Sequence, residues 1–282
     1  NGADTPVAVA VGGSAPFTNY YDLETHRIVV YGDFINNGSV RFTNQLYPVY
    51  TAFPNNGAAT VYFLGSTNSI LTCNGQTDFY NLVIDKGSDQ TYTVTVNPSS
   101  YSNFRIFGAN VGGYEAPVLP ATNANPNIRK ALWIRNGTLI LTGNTIIPSL
   151  SEGTCAAVSS DFFIPANAAM IMDGPDVVVL STADSYREVN AAYNLTGPSA
   201  IPNNAAAGIG LGGCSSFSIN GKLQVNDGYF STRQSGGFIT WNYSSALLII
   251  NGGVVDAKQF RSAGAAGGLA SYIQTGGLFE LR

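Results

Sequence analysis

Short runs of alternating apolar and polar residues recur along the whole chain, rich in Val, Ile, Thr, Tyr and Phe and bounded by Gly, Asn and Asp. A period of two is the mark of a strand with one buried face. No long stretch carries apolar residues at helical spacing with charged residues opposite, so the pattern predicts an all-β protein.

The runs restart on glycine. Asn37-Gly38 leads into Ser39-Val40-Arg41-Phe42, Asn136-Gly137 into Thr138-Leu139-Ile140-Leu141, and Asn220-Gly221 into Lys222-Leu223-Gln224-Val225. Gly252-Gly253 leads into Val254-Val255-Asp256-Ala257, and Gly276-Gly277 into Leu278-Phe279-Glu280-Leu281. The second and fourth residues after each glycine are apolar and the first and third mostly polar, which is one strand with a fixed inward face, begun again after the same turn. The aligned glycines stand at 38, 137, 221, 253 and 277, so the last two intervals are 32 and 24 residues. Twenty-four residues is about one turn of a parallel β-helix; 32 reads as one turn with a loop inserted, and the two long gaps as three or four turns each. The expectation is a solenoid of about ten rungs, stacked roughly 4.8 Å apart over a continuous apolar column. Asn-Gly suits its corners, because both residues tolerate positive φ and stacked Asn side chains can hydrogen-bond from rung to rung. The alternative is a β-sandwich of hairpins on Asn-Gly turns, whose arms should mirror each other about each glycine; these do not. Residues 1–282 read as one such domain and as a piece of a longer chain, with 144–217, rich in Ala and in Pro-bearing loops, as a loop-bearing insertion.

Four phrases carry a resemblance: Gly32-Asp33-Phe34-Ile35-Asn36-Asn37-Gly38, Val61-Tyr62-Phe63-Leu64-Gly65, Phe79-Tyr80-Asn81-Leu82-Val83-Ile84 and Arg135-Asn136-Gly137-Thr138-Leu139-Ile140-Leu141. Over residues 32–143, with a looser echo from 218 to 282, the chain resembles large secreted surface proteins of Bacteroidota. The resemblance implies export to the cell surface, a right-handed parallel β-helix, and work as an adhesin or polysaccharide-engaging module. Its motifs report rung geometry and assign no site.

Composition narrows the function classes. Thirteen Lys plus Arg against 17 Asp plus Glu give a net charge of −4, and charged residues are only 11% of the chain, about half the usual share. Scattered basic residues argue against a nucleic-acid partner, and no apolar run is long enough to span a bilayer as a helix. The single histidine, His26, leaves His-based zinc sites and Ser-His triads without a spaced partner.

The remaining candidates are few. Three cysteines without a C-x-x-C exclude the usual zinc and redox motifs. In an exported protein Cys155 and Cys214, both in Gly/Ser-rich turns, could pair, and buried free thiols are the other reading. No catalytic residue is assigned. Were the chain instead a polysaccharide lyase or glycoside hydrolase, its acids, bases and uronate-neutralising cations would be sought in Asp173, Asp176, Arg187 and Glu188, which flank the strand Val177–Leu180. The same residues serve equally as turn formers and surface ion pairs. No cofactor motif is present, although Asp173, Asp176 or Asp227 could offer oxygen ligands to Ca²⁺. Tyr186, Tyr193, Trp241 and Tyr243 fall near loops or strand ends, where a flat ring can stack on a sugar face. The leading expectation is a non-enzymatic extracellular module that engages glycans or a neighbouring surface protein, with a bare structural stalk as a further reading. The strand-like Leu278–Leu281 invites further domains of the same chain or homotypic stacking on its edge.

Overall fold

In the computed structural model, residues 27–43, 59–106, 132–147, 162–180, 216–232, 238–241, 244–262 and 271–281 are described. The short strands fall into eight layers. The first holds β1 (Arg27–Val30), β2 (Phe34–Asn36) and β3 (Val40–Arg41); the second β4 (Thr60–Gly65), β5 (Ser69–Cys73) and β6 (Thr77–Phe79). The third holds β7 (Asn81–Lys86), β8 (Thr93–Pro98) and β9 (Phe104–Ile106); the fourth β10 (Leu132–Leu141) and β11 (Ile146–Ile147). The fifth holds β12 (Phe162–Ile164), β13 (Ala168–Met172) and β14 (Val178–Leu180); the sixth β15 (Ser216–Ile219), β16 (Lys222–Val225) and β17 (Tyr229–Thr232). The seventh holds β18 (Phe238–Trp241), β19 (Leu247–Ile250) and β20 (Val254–Ala257); the eighth β21 (Gln259–Ser262), β22 (Ser271–Gln274) and β23 (Leu278–Leu281).

Every strand pairing among the described residues is parallel, as the solenoid expectation requires, and the hairpin arms of the alternative β-sandwich are not seen there. Four sheets result. Strands β11-β14-β17-β20-β23 form one, β12-β15-β18-β21 another and β3-β6-β9 a third. The eleven-stranded sheet consists of two strips joined through β10, whose register shifts between Ile134 and Asn136. Its first part continues β1-β4-β7, and its second part lies between β8 and β13 in the strip that runs from β2 to β22. The stretch 144–217 supplies β11 to β14 to these sheets.

Alternation explains the core. Leu139 and Leu141, Leu223 and Val225, and Val255 and Ala257 all point inward and are buried, as the glycine-anchored pattern predicts. One apolar cluster draws on all four sheets and runs from Val61 to Ala257. Aromatic rings repeat within it: Phe79 lies 5.3 Å from Phe42 and 5.8 Å from Phe104, and Phe217 lies 5.4 Å from Phe162 and 4.8 Å from Phe230. Each such side chain withdrawn from water contributes about 1.5–3 kcal/mol. The strip β1-β4-β7-β10 is apolar on its outer face too, where Tyr62, Val83 and Trp133 form a second buried cluster, as parallel sheets commonly require. Arg27 lies over the Tyr62 ring and Arg135 over Trp133.

The glycine alignment needs one correction. Gly137 and Gly221 open strands of the second strip, whereas Gly38, Gly253 and Gly277 open β3, β20 and β23 at the next corner. The 32-residue interval from Gly221 to Gly253 is therefore one layer plus a step around to that corner, with no inserted loop. Register partners of the last layers are 25 and 24 residues apart, from Val225 to Ile250 and from Ile250 to Gln274. Glycine opens strands at both corners, with positive φ at Gly137, Gly253 and Gly277 and not at Gly38 or Gly221, so a sequence aligned on glycine merges them. Met172 to Val225 spans 53 residues and Leu82 to Leu132 spans 50, so fewer layers are described than the expected ten.

Two buried polar features were not legible in the pattern. Lys86, wholly buried, reaches with its Nζ to the two layers beneath, donating to the carbonyls of Leu64 (2.8 Å) and Tyr31 (3.2 Å). Burial lowers its pKa, with Asp33 opposing. On the third sheet, Asp78 is fully buried between Arg41 and Arg105, which approach its carboxylate at 2.8 Å from the layers on either side. Gln76 adds a 2.7 Å bond, so the ion is both paired and hydrogen-bonded, as burial demands.

Cys73 is a free, buried thiol. Burial pushes it from the usual 9.0 up to about 11, against a lowering hydrogen bond from Thr77. Because the folded state holds the proton longer than the unfolded chain, the stability contribution is complete below pH 9 and falls by a few kcal/mol as pH climbs from 9 to 11. Denaturant titrations at pH 8 to 11 are expected to show this alkaline loss in the native protein and not in Cys73→Ala. Parallel slopes for the two proteins would contradict it.

Candidate binding face

The second strip turns a flat outer face to solvent. Because side chains alternate and the strands stack in register, two columns of outward residues cross its layers. One runs from Ile70 through Thr95, Ile140, Ile171, Gln224 and Ile249 to Ile273. Its ends are well exposed, Ile70 at 47% and Ile273 at 46%, and the residues between are half-buried. Six layer steps of about 4.8 Å make this stripe roughly 29 Å long.

The second column stands beside it at the corner and is polar. Asn226 donates from Nδ2 to Asp173 at 3.0 Å, Asn251 to Asn226 at 2.9 Å, and the Thr275 hydroxyl to Asn251 Oδ1 at 2.8 Å. Gln224 also donates to Asn226 Oδ1, at 2.8 Å. The rung-to-rung asparagine bonding expected from the sequence is thus present, and it recurs where Asn74 donates to Asn37 at 2.8 Å. A third instance runs from Asp85 through Asn136 to Asn167. Each amide spends one N–H on the layer below and keeps a second for solvent or a ligand.

Charge is nearly missing from this face. From β5 to β22 its outward positions carry charged residues only at Asp173 and Lys222. One flank is raised by the turn between β7 and β8. There the Gln90 carbonyl accepts from Thr138 Oγ1 at 2.7 Å and the Gln90 amide donates to Ala166 O at 3.0 Å. The Thr91 amide donates to Asp89 at 2.8 Å, and this with the Thr91 hydroxyl holds the Asp89 carboxyl below its ordinary range.

Of the residues singled out in the sequence, Asp173 is the foot of the polar ladder, and Asp176 stands exposed in the turn before β14. Asp227 accepts from the Gly228 amide at 2.8 Å. Trp241 is half-buried against the core with its ring 4.6 Å from Phe260. His26, Cys155, Tyr186, Arg187, Glu188, Tyr193, Cys214 and Tyr243 lie outside the described residues. Among the described residues no three His, Cys, Asp or Glu side chains are grouped to hold a metal ion, and no helix is long and apolar enough to cross a membrane. Other described carboxylates hold corners and strands: Asp33 accepts the Ile70 amide, and Tyr229 donates to Asp256 at 3.2 Å.

The isoleucine stripe escaped the sequence reading, which took apolar residues as inward. Its signal was available in the unbroken apolar runs Leu139-Ile140-Leu141, Met170-Ile171-Met172 and Leu247-Leu248-Ile249-Ile250, where strict alternation fails because both faces are apolar. What such a face can do chemically is to lie against a long, uncharged partner. Methyl groups meet apolar C–H surface while the neighbouring amides and hydroxyls exchange hydrogen bonds with its polar rim.

No protein-family model matches the chain, and neither a curated protein nor a solved structure matches it.

Proposed function

We propose that the chain is a right-handed parallel β-helix acting as a non-enzymatic, extracellular binding module of a cell-surface protein, and that its ligand is a neutral polysaccharide laid along the second strip. The observation that carries this reading is the pairing of an aliphatic stripe with an amide and hydroxyl ladder at one fixed layer spacing. A glycan chain has the same two-sided character, with apolar C–H faces and hydroxyl rims, and it repeats along its length as the face does. Near neutrality favours an uncharged polymer over a uronate, since Lys222 is the one cation among the outward positions from β5 to β22.

Affinity electrophoresis against neutral and acidic polysaccharides tests the proposal. Retention in at least one neutral gel is expected, with Ile171→Arg or Ile249→Arg weakening it tenfold or more, about 1.4 kcal/mol, while the fold is kept. Equal retention of these variants would contradict the assigned face. Passage through every gel would leave a stalk as the better account. New reducing ends or unsaturated uronate would make it an enzyme instead.

A further inference from the structure

The outward columns of the second strip form a track with a fixed direction and a fixed step. From Ile70 to Ile273 the register passes from layer to layer without a shift, so the aliphatic stripe runs straight along the stacking axis. Two residues further along each layer stands the polar column. Thr142, Asp173, Asn226, Asn251 and Thr275 each donate a backbone N–H to a carbonyl of the layer beneath at 2.8–2.9 Å, so this column keeps the same register just past the strand ends. The side chains of these five residues are half-buried or exposed. Two residues of extended strand set the columns about 7 Å apart, and successive layers lie about 4.8 Å apart. On the other side of Ile140 and Ile171, the turn that Gln90 ties to Thr138 and Ala166 borders the stripe.

Such a track discriminates between neutral glycans by their linkage. In a β-1,4-linked chain of glucose or xylose units both backbone bonds of each ring are equatorial and leave from opposite ends, so the rings line up in a flat ribbon. Each ring advances that ribbon by a length close to the layer step of about 4.8 Å. Axial C–H bonds make its two broad faces and hydroxyls its two edges. Laid along the second strip, one broad face meets the isoleucine methyls ring by ring, and one edge meets the amides and hydroxyls of the polar column at layer after layer. An axial bond or a 1,3 linkage turns the chain at every ring, as in α-1,4- and β-1,3-glucans, and such a polymer coils away from a straight stripe within a few layers.

We propose, on the reading that the second strip binds a neutral polysaccharide, that it selects a β-1,4-linked backbone of equatorially joined rings and holds one ring per layer. Selection comes from the step: only a chain that advances with the layers keeps both the apolar and the polar contact along the whole stripe. Affinity then accumulates ring by ring.

Isothermal titration calorimetry with cello- and xylo-oligosaccharides, from the disaccharide to the hexasaccharide, reads both the linkage and the register. In at least one series the native chain is expected to bind about threefold or more tighter with each added ring, and to bind the β-1,3-linked and α-1,4-linked glucose hexasaccharides at least tenfold more weakly than the best β-1,4-linked one. In Thr95→Arg/Ile249→Arg the two cations bracket the layer positions of Ile140, Ile171 and Gln224. There affinity is expected to rise as far as the trisaccharide and stay level beyond it. A rise past the trisaccharide in this variant would overturn the assignment of one ring per layer. Equal or tighter binding of a β-1,3- or α-1,4-linked hexasaccharide would overturn linkage selection and leave the glycan reading standing, as would retention in another neutral gel with no β-1,4-linked oligosaccharide bound. Absence of binding to every oligosaccharide and every neutral gel would overturn both together. The linkage comparison is made on the native chain, so it decides the matter whether or not the bracketed variant folds.

Discussion

Phe217→Ala is expected to lower the unfolding free energy by about 3–5 kcal/mol, the range for truncating a fully buried aromatic in a close-packed interior. The position has no slack. Phe217 is wholly buried, its ring stacks on Phe162 of the fifth layer at 5.4 Å and meets the edge of Phe230 in its own layer at 4.8 Å. The layers are fixed by backbone pairing on both sides, Phe162 to Phe217 and Phe217 to Ile239, so the walls cannot close over the void. Loss of ring contacts comes on top of the transfer term. Urea unfolding of the native and substituted chains measures the difference. A loss below about 1 kcal/mol would mean that the ring does not bridge two layers, since that is the scale of ordinary surface substitutions.

Gly253→Ala is expected to cost about 3 kcal/mol or more, and Gly32→Ala nothing measurable or a slight gain. Gly253 has φ +64°, and a Cβ there would stand 2.5 Å from the Gly228 carbonyl oxygen and 2.8 Å from the Gly228 nitrogen, backbone atoms of the layer beneath. The left-handed conformation alone costs on the order of 1 kcal/mol for alanine, and the clash can be relieved only by lifting one layer off another, which stretches the bond from Val254 N to Gly228 O, now 2.8 Å. Gly32 sits in a corner as well, yet a Cβ there meets nothing within 4 Å. At such a site alanine restricts the unfolded chain and can stabilise by about 0.4–1 kcal/mol. Paired thermal melts give the contrast directly. Equal effects at the two glycines would show that layer-on-layer contact at the corner is not what selects glycine there.

These two positions also show what a sequence can and cannot reveal in this architecture. Strand identity was legible because period-two alternation is local: Leu223 and Val225 face inward whatever lies in the neighbouring layer. The asparagine ladder was legible as a tendency, since Asn-Gly names a corner. Which corner, and how many layers separate two glycines, was not. Gly221 and Gly253 open strands on different edges of the stack, with positive φ at Gly253 and not at Gly221, and neither the backbone angle nor the pairing that tells them apart leaves a mark on composition. The buried Arg41–Asp78–Arg105 column was hidden for a related reason. Its members are 37 and 27 residues apart in sequence and meet only because three strands stack. Asp173 drew notice as a carboxylate near a turn, which is correct as to place. Its observed partner is the Asn226 amide one layer away, a relation that depends on the 53-residue connection closing in register.

Pulsed electron–electron resonance between spin labels on the exposed column measures the stacking most directly. Labels at Ile70 and Gln224 are four layers apart and those at Ile70 and Ile273 six, so their separations are expected near 19 Å and 29 Å, rising by about 4.8 Å per layer whatever the number of intervening residues. Distances that follow sequence separation instead, or a pair at 70 and 273 closer than the pair at 70 and 224, would contradict a single parallel stack.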